Sequence, residues 1–245
     1  MNSKTLKTLT RCLVLLLLIT NSTAHGEPQK QTNERVTILS GEWKLIGDFV
    51  LPQSDTPMAV VVLLNKAAGD RTAYVHLSEQ LSKQGIGSLR IDLRGHGEST
   101  NLGRFVPTEG TTILKDTERD VAAVHEWLRK DKRVDPKRIG FVGASYSGES
   151  MMQAAKISGY GAAYVGLSPG SLSEESITLI DRERLTWLLV VARHERYLTE
   201  VAKTFREKSK TGEFLELSGT AHATDLLDSH RDLAERLAVW FRNKL

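Results

Sequence analysis

The sequence predicts an α/β fold: a doubly wound, mainly parallel sheet with an N-terminal antiparallel hairpin. Continuous apolar runs such as Met58 to Leu64 and Trp187 to Ala192 are typical of central strands that are buried on both faces. From residue 58 to the end of the chain, such runs alternate with segments of helical periodicity. This alternation favours parallel strands that are connected by helices covering both faces of the sheet.

The first 24 residues have the pattern of a secretory signal peptide. A basic segment, Met1 to Arg11, precedes the apolar run Cys12 to Ile19, and the small residues Ser22 to Ala24 follow. Because the apolar run is far shorter than the roughly 20 residues that span a bilayer, we expect cleavage and a secreted or periplasmic protein without a stable membrane anchor. A retained anchor is the alternative.

Composition excludes several kinds of site. Three basic residues before Cys12 account for the whole formal charge of +3, so the mature charge does not indicate nucleic-acid binding. Cys12 is the only cysteine, which excludes disulfides and a cysteine nucleophile after cleavage. No histidine or carboxylate cluster has metal-ligand spacing, and Gly85 and Gly87 precede a strand instead of following one. We therefore expect no metal, no dinucleotide and no other cofactor.

Residues 25–35 are polar and are expected to form a linker, and residues 36–245 a single domain without a lid. Two short strands, Val36 to Leu39 and Trp43 to Leu51, are expected to form the hairpin, which Pro52 ends. The further expected strands are 58–64, 88–92, 139–142, 162–167, 187–192 and 214–217, and the expected helices are 72–84, one within 113–130, 149–157, 174–185, 197–208 and 226–243.

Periodicity and breakers justify these helices. Val121, Val124 and Leu128 recur at spacings of three and four, which gives the helix within 113–130 one apolar stripe. The closing helix has a similar stripe that includes Leu233, Leu237 and Phe241. Asp135-Pro136 is expected to break the chain before the strand at 139–142.

A sharp turn is expected between that strand and the next helix. Ser145 stands at its tip, flanked by small residues from Gly143 to Gly148 that permit a strained backbone. The N–H groups at the start of the helix would stabilise negative charge that develops beside the serine hydroxyl. An ordinary strand-to-helix turn rich in glycine and serine is the alternative.

Chemically reactive side chains follow several strands. Ser145, Glu195 and His222 come in this order, each just past a predicted strand, and the carboxyl ends of parallel strands meet at one edge of a sheet. A serine nucleophile needs a base to take its proton, and the base needs a carboxylate to orient it and to stabilise its charged form. The three residues therefore form a candidate catalytic triad.

Over about Val36 to Leu245 the chain resembles α/β-hydrolases, in particular small lidless serine hydrolases similar to dienelactone hydrolases or acyl esterases. The resemblance rests on the order serine, acid, histidine, on the turn around Ser145, and on Leu64 to Ser99 with its Asp-Leu-Arg-Gly-His-Gly-Glu-Ser stretch. It departs at three places. Ser147 stands for the second glycine of Gly-x-Ser-x-Gly, Asn65-Lys66 for a frequent His-Gly, and glutamate for the commoner aspartate acid.

The resemblance implies roles for five residues. Ser145 would be the nucleophile, His222 the general base and Glu195 the acid, while the backbone N–H groups of Ala67 and Tyr146 would form the oxyanion hole. The implied function is an exported serine hydrolase that cleaves a carboxylic ester of a small acyl substrate through an acyl-enzyme. A peptidase or acyltransferase with the same triad is an alternative, and the altered motif positions motivate another, a non-catalytic binding protein on a hydrolase scaffold.

Other polar residues near strand ends have weaker claims. Asp225 is an alternative acid, and His194 is expected to face solvent or to pack. Asp92 and Arg94 are expected to tie loops together, and His96 to be structural more than to line the pocket mouth. Three further histidines fall on predicted helices and are expected at the surface, namely His76, His125 and His230.

Overall fold

A computed structural model describes residues 31–196 and 199–245. Eight strands form one sheet in the order β1-β2-β4-β3-β5-β6-β7-β8. Pairing is antiparallel between β1 and β2 and between β2 and β4, and parallel elsewhere. The predicted fold class is thus confirmed. The strands are β1 (Gln31–Ser40), β2 (Trp43–Pro52), β3 (Met58–Leu64), β4 (Gly87–Ile91), β5 (Val134–Ala144), β6 (Ala163–Leu167), β7 (Thr186–Ala192) and β8 (Glu213–Leu217).

Helices cover both faces of the sheet. They are α1 (Val75–Lys83), α2 (Thr117–Lys130), α3 (Tyr146–Ser158), α4 (Glu174–Arg182), α5 (Thr199–Lys208), α6 (Asp225–Ser229) and α7 (Leu233–Lys244). Apolar residues of α2 to α5 pack in one core and those of α1, α6 and α7 in another. Successive residues of β3, such as Val61 and Val62, alternate between the two cores because strand side chains alternate between faces. No helix in the described ranges has the length and apolar character needed to cross a bilayer.

The first strand begins earlier than predicted. Residues 31–35, which were expected in the linker, form the first half of β1 and pair with residues 48–52 of β2. Their side chains are largely exposed because β1 is the edge strand, so their polarity hides the strand in the sequence. The predicted signal peptide and residues 25–30 lie outside the described residues.

The predicted break at Asp135-Pro136 is wrong. Pro136 lies inside β5, which runs without interruption to the serine turn. Met58 pairs with Val134 and Val60 pairs with Ile139, so β5 bulges between these two pairs. A bulge accommodates proline because no ladder hydrogen bond from its nitrogen is required there.

The predicted closing helix is two helices. Helix α6 ends before His230, whose φ of −126° and ψ of 87° are not helical. The His230 Nε2 lies 3.0 Å from the carbonyl oxygen of Ser218, in the loop after β8. This long-range contact is consistent with the bend and is invisible in the local periodicity.

The surface position predicted for His125 is also wrong. Helix α3 packs against α2, and His125 is 3% exposed. Its Nδ1 lies 3.0 Å from Ser158 Oγ, and its ring meets Phe141 edge-on with centroids 5.3 Å apart. Burial lowers the pKa of His125 from 6.5 to about 4, so the imidazole is neutral near pH 7.

Candidate active site

Ser145 occupies a strained turn between β5 and α3. Its φ of 55° and ψ of −121° lie in a region that residues other than glycine rarely adopt. Its glycine neighbours make room for the turn. A Cβ at Gly143 would lie 2.7 Å from the carbonyl oxygen of Ser147, and one at Gly148 would lie 2.6 Å from Pro169 Cβ. A side chain at Gly148 would therefore clash with Pro169. In this chain the second glycine of the turn stands at 148, one position later than in the usual motif.

The hydroxyl of Ser147 makes buried hydrogen bonds that glycine at this position could not make. Its side chain is fully buried, and its hydroxyl accepts a hydrogen bond from the N–H of Ala144 at 2.7 Å. The same oxygen lies 2.9 Å from the carbonyl of Ala144 and 3.3 Å from that of Leu64. This hydroxyl connects the serine turn to the end of β3, where the predicted oxyanion turn begins.

Glu195 and His222 meet at the carboxyl edge of the sheet. Glu195 Oε1 contacts His222 Nδ1, and the carboxylate is buried, with 3% of the side chain exposed. The other oxygen, Oε2, accepts a hydrogen bond of 2.7 Å from Ser168 Oγ. The His222 side chain is 38% exposed. The buried carboxylate thus contacts Nδ1 of an imidazole whose side chain is partly accessible.

The alternative acid lies elsewhere. Asp225 Oδ1 is 2.5 Å from Nζ of Lys66, which lies in the turn after β3. His194 is exposed, and among the described residues its one hydrogen bond runs from its backbone N–H to the carbonyl of Gly219 at 3.0 Å. The structure thus places Glu195, and neither of these two residues, beside the imidazole of His222.

Ser145 is half-buried, and its hydroxyl makes no hydrogen bond to His222 within the described residues. Catalytic contacts are often long before substrate binds. The segment after β6 bounds the space at the hydroxyl: the N–H of Gly170 donates to the Ser145 carbonyl at 3.0 Å. A Cβ on Gly170 would lie 3.6 Å from Ser145 Oγ, so glycine keeps this approach open.

The two backbone N–H groups predicted to form the oxyanion hole are those of Ala67 and Tyr146. Tyr146 begins α3, and Ala67 lies in the turn after β3. Neither N–H donates a hydrogen bond within the described part of the chain, so both remain available to a ligand. The buried side chain of Asn65 fixes the turn, since its Nδ2 donates to the carbonyl of Lys66 and its Oδ1 accepts from the N–H of Leu93, each at 2.9 Å.

A buried ion pair anchors the far end of this turn. Asp92, which is fully buried, accepts hydrogen bonds from the N–H of Arg71 at 2.7 Å and from its Nη1 at 2.5 Å. Arg71 also contacts Asp48 through Nε at 3.0 Å and Glu98 through Nη2 at 2.6 Å. The network joins the turn after β3 to the loop after β4.

The loop after β4 contacts helix α2 and the first residue of α3. Arg94 pairs with Asp120 of α2 at 2.6 Å. The ring of His96 stacks between Phe105 and Tyr146, with centroids 5.2 and 5.6 Å apart, and its burial lowers the pKa of His96. These contacts give His96 a packing position. His96 also lines a groove of about 470 Å³, together with residues that include Ala68, Gly69 and Arg104.

Comparison with known proteins gives the family. Residues 40–176, more than half of the chain, match the X-Pro dipeptidyl-peptidase (S15 family). The chain belongs to this family. The matched region contains Ser145 and both predicted oxyanion residues, while Glu195 and His222 lie beyond it. The predicted membership of the α/β-hydrolases is thereby confirmed, and the chain is a member of a hydrolase family.

One curated relative of this S15-family chain is an uncharacterized 31.7 kDa protein from the traX-finO intergenic region of Escherichia coli. It is 28% identical over 109 residues, which cover 44% of this chain and 36% of that protein. The match thus spans about a third of the relative's length.

Solved structures share the fold over most of the chain. A dienelactone hydrolase from Anabaena variabilis is 18% identical with a TM-score of 0.67, over 88% of this chain and 99% of that one. An esterase from Pyrococcus furiosus is also 18% identical, with a TM-score of 0.66, over 87% and 91% of the two chains.

The sequence interpretation of this S15-family chain missed two residues. Ser168 is not among the residues that the sequence singles out, and Ser147 stands out there only as a departure from a motif. A small polar residue at a strand end was a signal for Ser168, but its partner is 27 residues away. Within the described residues, no group of three or more His, Cys, Asp or Glu side chains is arranged to hold a metal ion.

Proposed function

We propose that this chain is an exported serine hydrolase that cleaves a carboxylic ester or a related acyl bond through Ser145, His222 and Glu195. The contact between the buried Glu195 carboxylate and His222 Nδ1 carries the proposal. This contact fixes the tautomer that leaves Nε2 free to accept a proton. The strained turn at Ser145 supports the same reading, because such strain persists only where the surrounding structure enforces it.

The proposed reaction has two halves. Ser145 Oγ attacks the acyl carbon while His222 takes the hydroxyl proton, and the N–H groups of Ala67 and Tyr146 hold the oxyanion. His222 then returns that proton to the leaving group, and the acyl-enzyme remains. Water attacks the acyl carbon of this ester as His222 takes a proton from the water. The bond between the acyl carbon and Ser145 Oγ then breaks, His222 returns its proton to Oγ, and the acid is released. Each oxyanion donor is worth about 3 kcal/mol of barrier.

A peptidase is the second candidate, and the family match over residues 40–176 favours it. The same three residues would then cleave after an X-Pro dipeptide, with the amine as the leaving group. Esters remain the first substrates to try because a dienelactone hydrolase and an esterase share the fold. Export rests on the pattern of residues 1–24, and N-terminal sequencing of the mature protein from culture fractions tests it.

Labelling with a fluorophosphonate tests the proposed function. We expect the label on Ser145 by peptide mass mapping, and none in Ser145→Ala or His222→Ala at the same exposure. Ser150→Ala is the matched control, since Ser150 lies on the same helix with its hydroxyl 3.3 Å from the Tyr146 carbonyl. Rates on 4-nitrophenyl acetate and on Ala-Pro-4-nitroanilide then separate the esterase from the peptidase. A folded wild-type protein that takes no label would favour a non-catalytic binding protein.

A further inference from the structure

Ser168 donates to the candidate acid from a completely buried position. It follows β6, and its Oγ lies 2.7 Å from Glu195 Oε2. Its φ of 43° falls in the left-handed region, and its own N–H donates to the carbonyl of Val190 at 2.8 Å. A buried carboxylate oxygen needs a donor, and among the described side chains Ser168 supplies the one to Oε2.

The donor matters more for a glutamate than for an aspartate. Glu195 has one more rotatable bond than the commoner aspartate, so one contact through Oε1 to His222 leaves the carboxylate free to swing. A second contact through Oε2 fixes the plane of the carboxylate. The imidazole of His222 is itself 38% exposed, which makes its orientation depend on the carboxylate.

The next two residues tie the acid to the nucleophile. Pro169 packs on Gly148 of the serine helix, where a Cβ would approach its ring at 2.6 Å. Gly170 donates its N–H to the Ser145 carbonyl at 3.0 Å. The segment Ser168–Gly170 therefore contacts the acid at one end and the nucleophile turn at the other.

We propose that Ser168 is a positioning residue. It holds the Glu195 carboxylate, and through it the imidazole of His222, in the orientation that lets His222 accept the proton of Ser145. The inference rests on the proposed function and deepens it. Ser168 acts through Glu195, so its loss slows proton transfer and leaves substrate binding unchanged. We expect kcat to fall by about tenfold to a hundredfold, the size of one hydrogen bond to a charged group, with KM within about twofold.

Two variants separate the hydroxyl from the backbone. Ser168→Ala removes the hydroxyl and keeps the strained φ, whereas Ser168→Gly removes both. The rate of fluorophosphonate labelling at Ser145 should fall to a similar degree in the two variants. Ser176→Ala is the matched control, because Ser176 is also fully buried and its hydroxyl bonds a carboxylate at 2.9 Å, that of Glu149. Its labelling rate should equal that of the wild type.

A double variant guards against a purely structural effect. In a Glu195→Gln background, adding Ser168→Ala should change the labelling rate less than twofold, since the carboxylate that Ser168 positions is gone. Wild-type rates in both Ser168 variants, or a loss in Ser168→Ala that Ser168→Gly restores, would overturn the positioning role. An unlabelled wild-type protein would instead overturn the proposed function itself, so the two failures are distinguishable.

Discussion

Lys66 and Asp225 join the two loops on either side of the candidate site, with Lys66 Nζ 2.5 Å from Asp225 Oδ1. Lys66 lies in the turn that carries one predicted oxyanion donor, and Asp225 lies three residues after His222. Lys66, which stands where α/β-hydrolases often have glycine, thus gives the predicted oxyanion turn a contact with the loop that carries His222. Asp225, an alternative acid by sequence, has a different partner.

Lys66→Met is expected to affect the site more than the fold. The pair is partly exposed, so its loss should lower the free energy of unfolding by no more than about 1 kcal/mol. The rate of labelling at Ser145 should fall several-fold, because the two loops lose their connection. Lys208→Met is the control, since Lys208 pairs with Glu174 at 2.5 Å on helices α5 and α4. Equal labelling by both variants would show that the pair does not hold the site.

Ser147→Gly, which restores the usual motif, is expected to destabilise the protein. The change removes the acceptor of the buried Ala144 N–H, and an unsatisfied buried donor costs about 1–3 kcal/mol. Thermal unfolding should show a fall in Tm of about 2–4 °C per kcal/mol for a chain of this size. Ser150→Ala should leave Tm within about 2 °C of the wild type. A Tm equal to or above the wild-type value in Ser147→Gly would mean that the hydroxyl is only tolerated.

Asp92→Asn tests the anchor of the oxyanion turn. Removing this charge leaves Arg71 with Asp48 and Glu98 alone, and breaking a buried pair costs about 3–5 kcal/mol. We expect a loss near the lower end, because two partners remain. Chemical denaturation measures it, with Glu98→Gln, at a half-exposed carboxylate, as the milder comparison. Equal midpoints for the two variants would contradict the anchoring role of Asp92.

The buried imidazole of His125 predicts a pH dependence of stability. Its pKa is lowered from 6.5 to about 4, so the unfolded chain binds a proton more readily than the folded chain. The free energy of unfolding should therefore decrease as pH falls from about 6.5 to 4, by up to about 3 kcal/mol from this group. His125→Leu should remove that part of the slope. If the free energy of unfolding changes with pH in the same way in the variant and the wild type, His125 is not the source of this pH dependence.

Local patterns predicted the fold class because strands that are buried on both faces consist of continuous apolar runs. The apolar run of β3, for example, is buried along its whole length. Elements whose limits depend on distant residues were misjudged. Pro136 remains in a strand because β3 and β5 change register there, and a contact to Ser218 accompanies the end of a helix at His230. Neither relation leaves a trace in the neighbouring sequence.

The candidate site shows the same division. Ser145, Glu195 and His222 were identified because each follows a strand, and chain order places such residues on one edge of the sheet. Glu195 contacts His222, whereas Asp225 pairs with Lys66. Lys66 lies 159 residues from Asp225, so the sequence around the histidine does not reveal which acid faces it. His125 was misassigned because periodicity gives a helix its apolar stripe but does not say that a second helix covers its flank.

The backbone conformation at Ser145 lowers the stability of the fold at the position that carries the proposed nucleophile. A side chain in that conformation costs on the order of 1–3 kcal/mol, which glycine would not incur. A chain that drifted to glycine at this position would therefore resist heat better while losing the hydroxyl on which the proposed chemistry depends.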